Sequence, residues 1–493
     1  MKFKKGDLDA GVAVFFDSFS KIIIASGILL VNFKLEKDLV LAKILSATAL
    51  TVFIGSIFSY LLAKQLAKKQ TKSQEIRDGQ AKPGGATALF AGVSSTCFFV
   101  WISAIMLPTY LATGDPILAW RVTLAVSFIY SLLQIVLAFL SEKIFKLIPA
   151  DALKGAIIGG CLAWMIISPI SQAMTRPWLF IISLFILLTF FLGRIKFKYL
   201  PTALAALLLG TALYWLSGQA EVQEVSSALS HLGFYLPSFQ FAMFQPPVLT
   251  RALNFLPLIL AYILAETTAN IQAFAEAKGP EGTYPVKSNL LTLALVNLLG
   301  SLLGNPFPLN YYWGHSTWKK VGAGEGYPLV AGTLHLLICF TGISALVAVL
   351  VPTEVSLIML VFVGLNSAAF AISESSSKYY PAIVLAAAIP IFELINNQLA
   401  SSGNKAFASL AQGSMVIAIL YASILIMVID RRWIKAAAFA SCTALLSLFG
   451  LIHSNGLGLG KNPQLAISYL ALAGIFLFLG FREKKVGRQE KKY

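Results

Sequence analysis

The sequence predicts an all-α protein that crosses a bilayer many times, and three observations carry that reading. Of its 493 residues, 57% are hydrophobic and only 12% are charged, whereas soluble domains carry roughly 25% charge. The mean hydropathy is +0.78, which exceeds what a soluble core needs. The apolar residues also fall into about sixteen runs long enough to cross roughly 30 Å of hydrocarbon as helices.

These runs lie near 10–32, 39–63, 86–112, 117–140, 151–172, 177–193, 199–217, 252–275, 288–304, 306–320, 327–351, 354–373, 379–398, 406–429, 433–453 and 464–481. The first carries Asp17 and Lys21 and lacks a small-residue cleavage site, so it reads as a retained helix rather than a signal peptide. A net charge of +16 would suggest nucleic acid in a soluble protein. Here Lys and Arg sit in short loops and the C-terminal tail, which makes them a topology signal. Under strict alternation they favour the side holding both termini by roughly four to one, which places both termini in the cytoplasm of a multi-pass protein of the plasma (inner) membrane.

Residues 64–85 are charged and end in Pro and Gly, the composition of a flexible cytoplasmic linker. Residues 218–251 form an extracytoplasmic connection and divide the chain after seven runs. Seven is odd, so a second group of seven that repeats the first must insert upside down, an inverted repeat. Two echoes support it. Leu147-Ile148-Pro149-Ala150-Asp151-Ala152 opens run five, as Leu350-Val351-Pro352-Thr353-Glu354-Val355 opens run twelve, and Asp17-Ser18 in run one matches Glu266-Thr267 in run eight. The organisation is therefore a first repeat over 1–217, the connection, a second repeat over 252–430, and two additional spans with a basic tail over 431–493.

An ionisable side chain inside a spanning helix needs a partner or a cavity. Those present are Asp17, Lys21, Arg121, Glu266, His315, His335 and Glu393. Glu266 sits in LPLILAYILAETTANIQAF beside Thr267, Thr268, Asn270 and Gln272. Its carboxylate would accept N–H donors of a bound solute and exchange a proton, or else pair with a neighbouring helix. Asp17 and Lys21 share one helix face at i,i+4, so Asp17 reads either as an ion-pair member or as a coupling or gating residue. Arg121 can snorkel to the interface. His335 and Glu393 read as packing or helix-pair residues.

The run Gly304-Asn305-Pro306-Phe307-Pro308-Leu309-Asn310-Tyr311-Tyr312-Trp313-Gly314-His315 cannot start as a regular helix, because proline lacks the amide donor and biases the residue before it to extended backbone. Extended backbone at membrane depth is tolerated only in protein or along a cavity. A helix beginning near Tyr311 would aim free N–H groups and a positive dipole end at that cavity. Tyr311, Tyr312 and Trp313 would stack on a planar solute or anchor at the interface, and His315 would hydrogen-bond or titrate. In the first repeat, Gly92-Val93-Ser94-Ser95-Thr96-Cys97 occupies the matching place, which makes Ser95 and Thr96 candidate ligands of a second broken helix.

No HExxH pair, GxSxG elbow or phosphate loop occurs, so nothing suggests an enzyme. Cys97, Cys161, Cys339 and Cys442 lie in apolar runs without CxxC spacing, which implies neither disulfide, metal site nor cofactor.

The same residues resemble the xanthine/uracil permeases, also called nucleobase:cation symporter-2 transporters. Ala265-Glu266-Thr267-Thr268 with Asn270-Ile271-Gln272-Ala273 is similar to that family's eighth-helix pattern, and Val296 to Gly304 resembles its ninth helix leading to the broken tenth. Ile148-Pro149 with Lys154-Gly155 and Gly159-Gly160 resembles its fifth. The likeness is closest to a permease branch with a GHPxWK-type motif, here Gly314-His315-Ser316-Thr317-Trp318-Lys319, and a TGDPxLAWRV stretch at Thr113–Val122. The resemblance covers roughly residues 10–430. It implies a core and a gate domain, fourteen spans as two inverted sevens, an elevator-like motion, commonly a homodimer, and proton or sodium coupling. It also implies nucleobase binding through the eighth-helix glutamate, here Glu266, beside which Thr267, Asn270, Tyr311, Tyr312 and His315 stand as candidate substrate contacts read from the residues themselves. The family's tenth-helix acid has no counterpart here, since Gly314 and His315 occupy its place. The alternative is an anion carrier of the sulfate permease type, which shares the plan but usually adds a cytoplasmic domain for which the tail after residue 481 is short. A cation at the site would favour that alternative, and the central carboxylate argues against it. A channel fits less well than alternating access around broken helices.

Overall fold

The computed structural model describes residues 4–27, 29, 33, 35–78, 86–94, 97–98, 101–193, 195, 202–219, 222–277, 284–398, 409–454 and 458–489. Helix α1 is Lys5–Gly27. A helical turn and a π-helical stretch, Val40–Leu45, lead into α2, Ser46–Asp78. Strand β1 is Ala91–Val93. There follow α3, Leu107–Thr113, α4, Pro116–Leu147, and α5, Ala150–Gly160, which continues through a π-helical segment into α6, Ser168–Ala173. Next come α7, Pro177–Leu192, α8, Thr202–Leu216, α9, Val222–Leu229, α10, Pro246–Leu253, and α11, Leu256–Glu276. Helix α12, Val286–Leu303, precedes β2, Leu309–Tyr311, and α13, His315–Val321. The rest is α14, Tyr327–Phe340, α15, Ile343–Leu350, α16, Thr353–Ser373, α17, Tyr380–Gln398, α18, Ser414–Ile429, α19, Trp433–Leu448, and α20, Pro463–Gln489.

Among the described residues, seven helices are long and apolar enough to cross a membrane, and five shorter ones are apolar. The expected runs largely become helices, with four differences. Run three opens as extended backbone and β1 and is helical only in its later part. Run ten is not a spanning helix: it is β2 followed by the seven-residue α13. Run eleven is two helices, broken at Thr341-Gly342. The expected flexible linker is helical as far as Asp78, because its Lys, Gln and Glu residues are good helix formers once α2 has nucleated the turn.

The chain folds into two compact units that alternate along the sequence. The first comprises residues 1–139, 165–254 and 273–367. In it α1 packs on α14, α14 on α2, and α2 on α12. Its central feature is the antiparallel pairing of β1 with β2, Ala91 opposite Tyr311, Gly92 opposite Asn310 and Val93 opposite Leu309. Two further bonds lengthen the ladder, from Ser94 N–H to Pro308 O at 3.0 Å and from Tyr312 N–H to Phe90 O at 2.8 Å. Each strand thus satisfies the other's backbone where water is excluded.

The second unit comprises residues 140–164, 255–272 and 368–493. In it α17 packs on α5 and α18, α18 on α19, and α19 on α20. Gly155 and Gly159 let α5 and α17 approach closely: a Cβ at Gly159 would stand 2.7 Å from Ala387 O and 2.9 Å from Pro390 Cδ, the small-residue contact that membrane helices use. His453, in the connection between α19 and α20, ties the segment before α18 to α20, with Nδ1 2.6 Å from Ser409 O and Nε2 2.9 Å from the Tyr469 hydroxyl. Three of the four cysteines are buried, while Cys442 is exposed on α19.

Candidate functional site

In the first unit the break before β2 is built by side chains. The Asn305 carboxamide oxygen accepts Phe307 N–H at 2.9 Å and the Thr48 hydroxyl at 2.9 Å. Asn297 brackets the next turn, its Oδ1 accepting Leu309 N–H at 2.8 Å while its Nδ2 donates to Leu309 O at 3.0 Å and to Gln134 Oε1 at 3.1 Å. Backbone groups that the prolines leave outside a helix are thereby paired.

Helical backbone is found a few residues after each strand, at 97–98 after β1 and at α13 after β2. After β1, the Ser94 hydroxyl accepts Cys97 N–H at 3.3 Å and the Ser94 carbonyl accepts Phe98 N–H at 2.9 Å. Ser95 and Thr96 lie outside the described residues. After β2, Gly314 turns the chain at φ +100° into α13. The helix therefore begins at His315 rather than near Tyr311, and its first N–H groups are not free. Glu276, the last residue of α11, accepts Gly314 N–H at 2.9 Å, Ser316 N–H at 3.2 Å and the Ser316 hydroxyl at 2.8 Å. A built-in carboxylate thus occupies the end where the sequence places solute, an acid that reads in sequence only as the polar end of a span. His315 is buried, with Nδ1 3.2 Å from Ala88 O.

Asp17, Lys21 and Tyr312 come together at the strand pair. Lys21 Nζ donates to Asp17 Oδ1 at 3.1 Å and to the Tyr312 hydroxyl at 2.7 Å, and Tyr312 donates onward to Val93 O at 3.0 Å. Both charged side chains are almost fully enclosed, Lys21 at 3% and Asp17 at 1% exposure. Gly92 makes room, since a Cβ there would stand 2.6 Å from Tyr312 Cζ. Tyr311 instead packs into the core against Phe274, with ring centroids 5.3 Å apart. His335 lies edge-on to Phe15 with Nδ1 2.8 Å from Ala331 O, a packing arrangement.

Beside α13 the first unit holds a cavity of about 640 Å³, lined by Lys5 and Asp9 of α1, Phe190 near the end of α7, Thr317 and Lys320 of α13, and Phe362 of α16. Its volume suits a small ligand. Thr317 is 3% exposed, and its hydroxyl has no hydrogen-bond partner among the described residues. No sequence signal singles out Lys5, Thr317 or Lys320, which read there as a terminal basic cluster and a GHxxWK motif.

The second unit places Glu266, Thr267 and Asn270 on α11, all buried. The Asn270 amide donates to Glu266 O at 2.8 Å and so serves its own helix. The Thr267 hydroxyl and both amide atoms of Gln272 are buried without partners. Glu393 of α17 meets Tyr262 of α11 and Ser414 of α18. No group of three or more metal-ligating side chains occurs among the described residues.

No family model matches the chain, and no curated protein matches it in sequence. Among solved structures, the transmembrane domain of a cyanobacterium bicarbonate transporter, BicA, is similar with a TM-score of 0.53 at 15% identity, covering 82% of this chain and 99% of that one. SLC26A9 gives 0.49 at 12% identity over 88% of this chain and 66% of its own. The murine Slc26a9 anion transporter in its inward-facing state gives 0.48 at 13%, over 87% and 69%. The likeness to the BicA domain establishes the fold: a multi-pass membrane protein with the seven-plus-seven inverted-repeat plan, to which α19 and α20 are added. The xanthine/uracil permeases share that plan, so the motif resemblance holds at the level of fold.

Proposed function

We propose that this chain is a secondary transporter of a small anion. The observation that carries the reading is the cavity beside α13, where Lys5, Thr317 and Lys320 line one hollow and bring two basic residues and a hydroxyl-bearing one to it. An anion leaving water needs donors that replace its hydration, and ammonium and hydroxyl groups in a confined space supply them. Asp9 on the same wall would oppose anion entry and keep the seat weak enough to empty, as a carrier requires. The fold shared with a bicarbonate transporter's membrane domain supports this reading. The strand pair supports it mechanically: cross-bonded β1 and β2, pinned by Asn297 and by the Lys21 to Tyr312 bond, would carry α13 as one block in an elevator-like movement, within a homodimer.

Proteoliposome uptake of labelled bicarbonate, sulfate, uracil and xanthine, with and without a proton or sodium gradient, tests it. Anion uptake should exceed nucleobase uptake and fall about ten-fold or more in Lys320→Ala and in Thr317→Ala, the loss of a hydrogen bond to a charged group. Uracil or xanthine uptake without any anion uptake would overturn the anion reading.

A second reading, nucleobase transport, is favoured by one observation: Thr267 and Gln272 bring buried, unpartnered hydrogen-bonding groups to the helix of Glu266. Under it, Glu266→Gln abolishes uracil or xanthine uptake, whereas under the anion reading bicarbonate or sulfate uptake survives that change.

A further inference from the structure

In the second unit Glu393 lies two-thirds of the way along α17, 6% exposed, among helices the chain uses to span the membrane. Oε1 accepts the Tyr262 hydroxyl at 2.6 Å and Oε2 is bonded by the Ser414 hydroxyl. Both partners are neutral. None of the ion pairs among the described residues involves Glu393. Among their described residues, the elements packed against it present no cation to it. Helix α5 brings Asp151 and Lys154, which pair with each other at 3.2 Å beside the loop that precedes α17. Helix α18 brings Tyr421, engaged with Tyr469. Helix α11 brings Tyr262 and, one turn further on the same face, Glu266. Helix α17 itself carries only Tyr380 at its start.

A buried carboxylate with hydroxyl donors and no counter-charge is ill suited to a purely structural role, because an apolar or amide side chain would fill the place without the cost of a charge. The hydroxyl cage instead serves both forms of the acid. We propose that Glu393 is a reversible proton-binding site and that its proton is the ion coupled to transport, the second clause resting on the carrier reading above. In the step, one proton adds to Oε2, no other covalent bond changes, and the local charge goes from minus one to zero. Ser414, which donates to Oε2 in the carboxylate, rotates to accept from the new O–H. Tyr262 donates to Oε1 throughout.

Infrared difference spectroscopy of the purified full chain in lipid nanodiscs, titrated with pH in water and in deuterium oxide, reads the site without any transported solute. A carboxylic-acid C=O band that disappears as pH rises and shifts down in deuterium oxide is expected in the native protein. It should be lost in Glu393→Gln and displaced in Tyr262→Phe, which keeps the carboxyl and guards against a misfolded variant. A native spectrum with no pH-titrating carboxyl band removed by Glu393→Gln would overturn the proton site. In proteoliposomes, an imposed pH gradient should accelerate anion uptake by the native chain and not by Glu393→Gln, while solute exchange persists. A titrating band with gradient-independent uptake overturns the coupling clause alone. Absence of all uptake counts against the carrier reading and leaves the infrared result to decide the proton site.

Discussion

Two buried carboxylates, one in each unit, answer the same physical problem in opposite ways. Asp17 is matched by a full charge, Lys21, and the pair is bonded on to Tyr312 and the β1 backbone. Among the described residues Glu393 is matched by two hydroxyl groups. The first arrangement has lasting value only while both charges stay in place, so it fixes structure. The second tolerates loss or gain of a proton, so it can take part in a cycle. The contrast separates what holds the strand pair from what can respond to conditions.

The largest effect should come from breaking the charged pair. Lys21→Met leaves Asp17 enclosed without its partner, which should cost about 3–5 kcal/mol and lower the thermal midpoint measured in detergent. Adding Asp17→Asn should restore most of that loss. Equal damage from Lys21→Met and Glu393→Gln would erase the distinction. Next, Gly92→Ala forces a methyl group into Tyr312, and Gly159→Val forces bulk against α17. Each should cost about 1–3 kcal/mol, the first loosening only the strand pair and the second only the α5–α17 contact, which unit-specific hydrogen exchange would resolve. Glu393→Gln should change stability by less than about 1 kcal/mol, since both hydroxyl donors keep an acceptor or can rotate.

The smallest effect is at the surface. The Lys378 ammonium, 2.6 Å away, and then the Tyr379 hydroxyl hold the Asp430 carboxyl below its ordinary 3.8. A depressed folded value means that the folded state binds its proton less readily than the unfolded state does. The contribution is therefore present above that ordinary value and fades as pH falls through the lower folded one. Asp430→Asn should remove this acid-side slope by losing the small neutral-pH contribution of an exposed pair, and match the native chain in acid.

Much of the fold was legible because apolar length and proline placement are local signals. Pro306 and Pro308 alone announce the interruption in run ten, and the i,i+4 spacing alone joins Asp17 to Lys21. Non-local features were not legible. The break at Gly92–Cys97 is expected from its place in the repeat, but β1 contains no proline and its pairing with β2, more than two hundred residues later, leaves no local mark. Glu276 looks like an ordinary acid at the end of a span until Gly314 and Ser316 arrive from another segment. Glu393 reads as a packing residue because its donors, Tyr262 and Ser414, come from two other helices. The helical stretch up to Asp78 was hidden by composition, since the same Lys and Gln residues suit a solvated helix and a linker alike.

The strand pair also sets a timetable for biogenesis. A ribosome delivers β1 long before β2, and the chain passes through segments of both units in between. During that interval the early strand has no hydrogen-bonding mate in the nascent protein, and joining strands so distant in sequence is slow. The insertion machinery must therefore shelter β1 from lipid until residue 311 emerges, so a ribosome stalled short of that point should leave the segment holding β1 exposed to quality-control proteolysis.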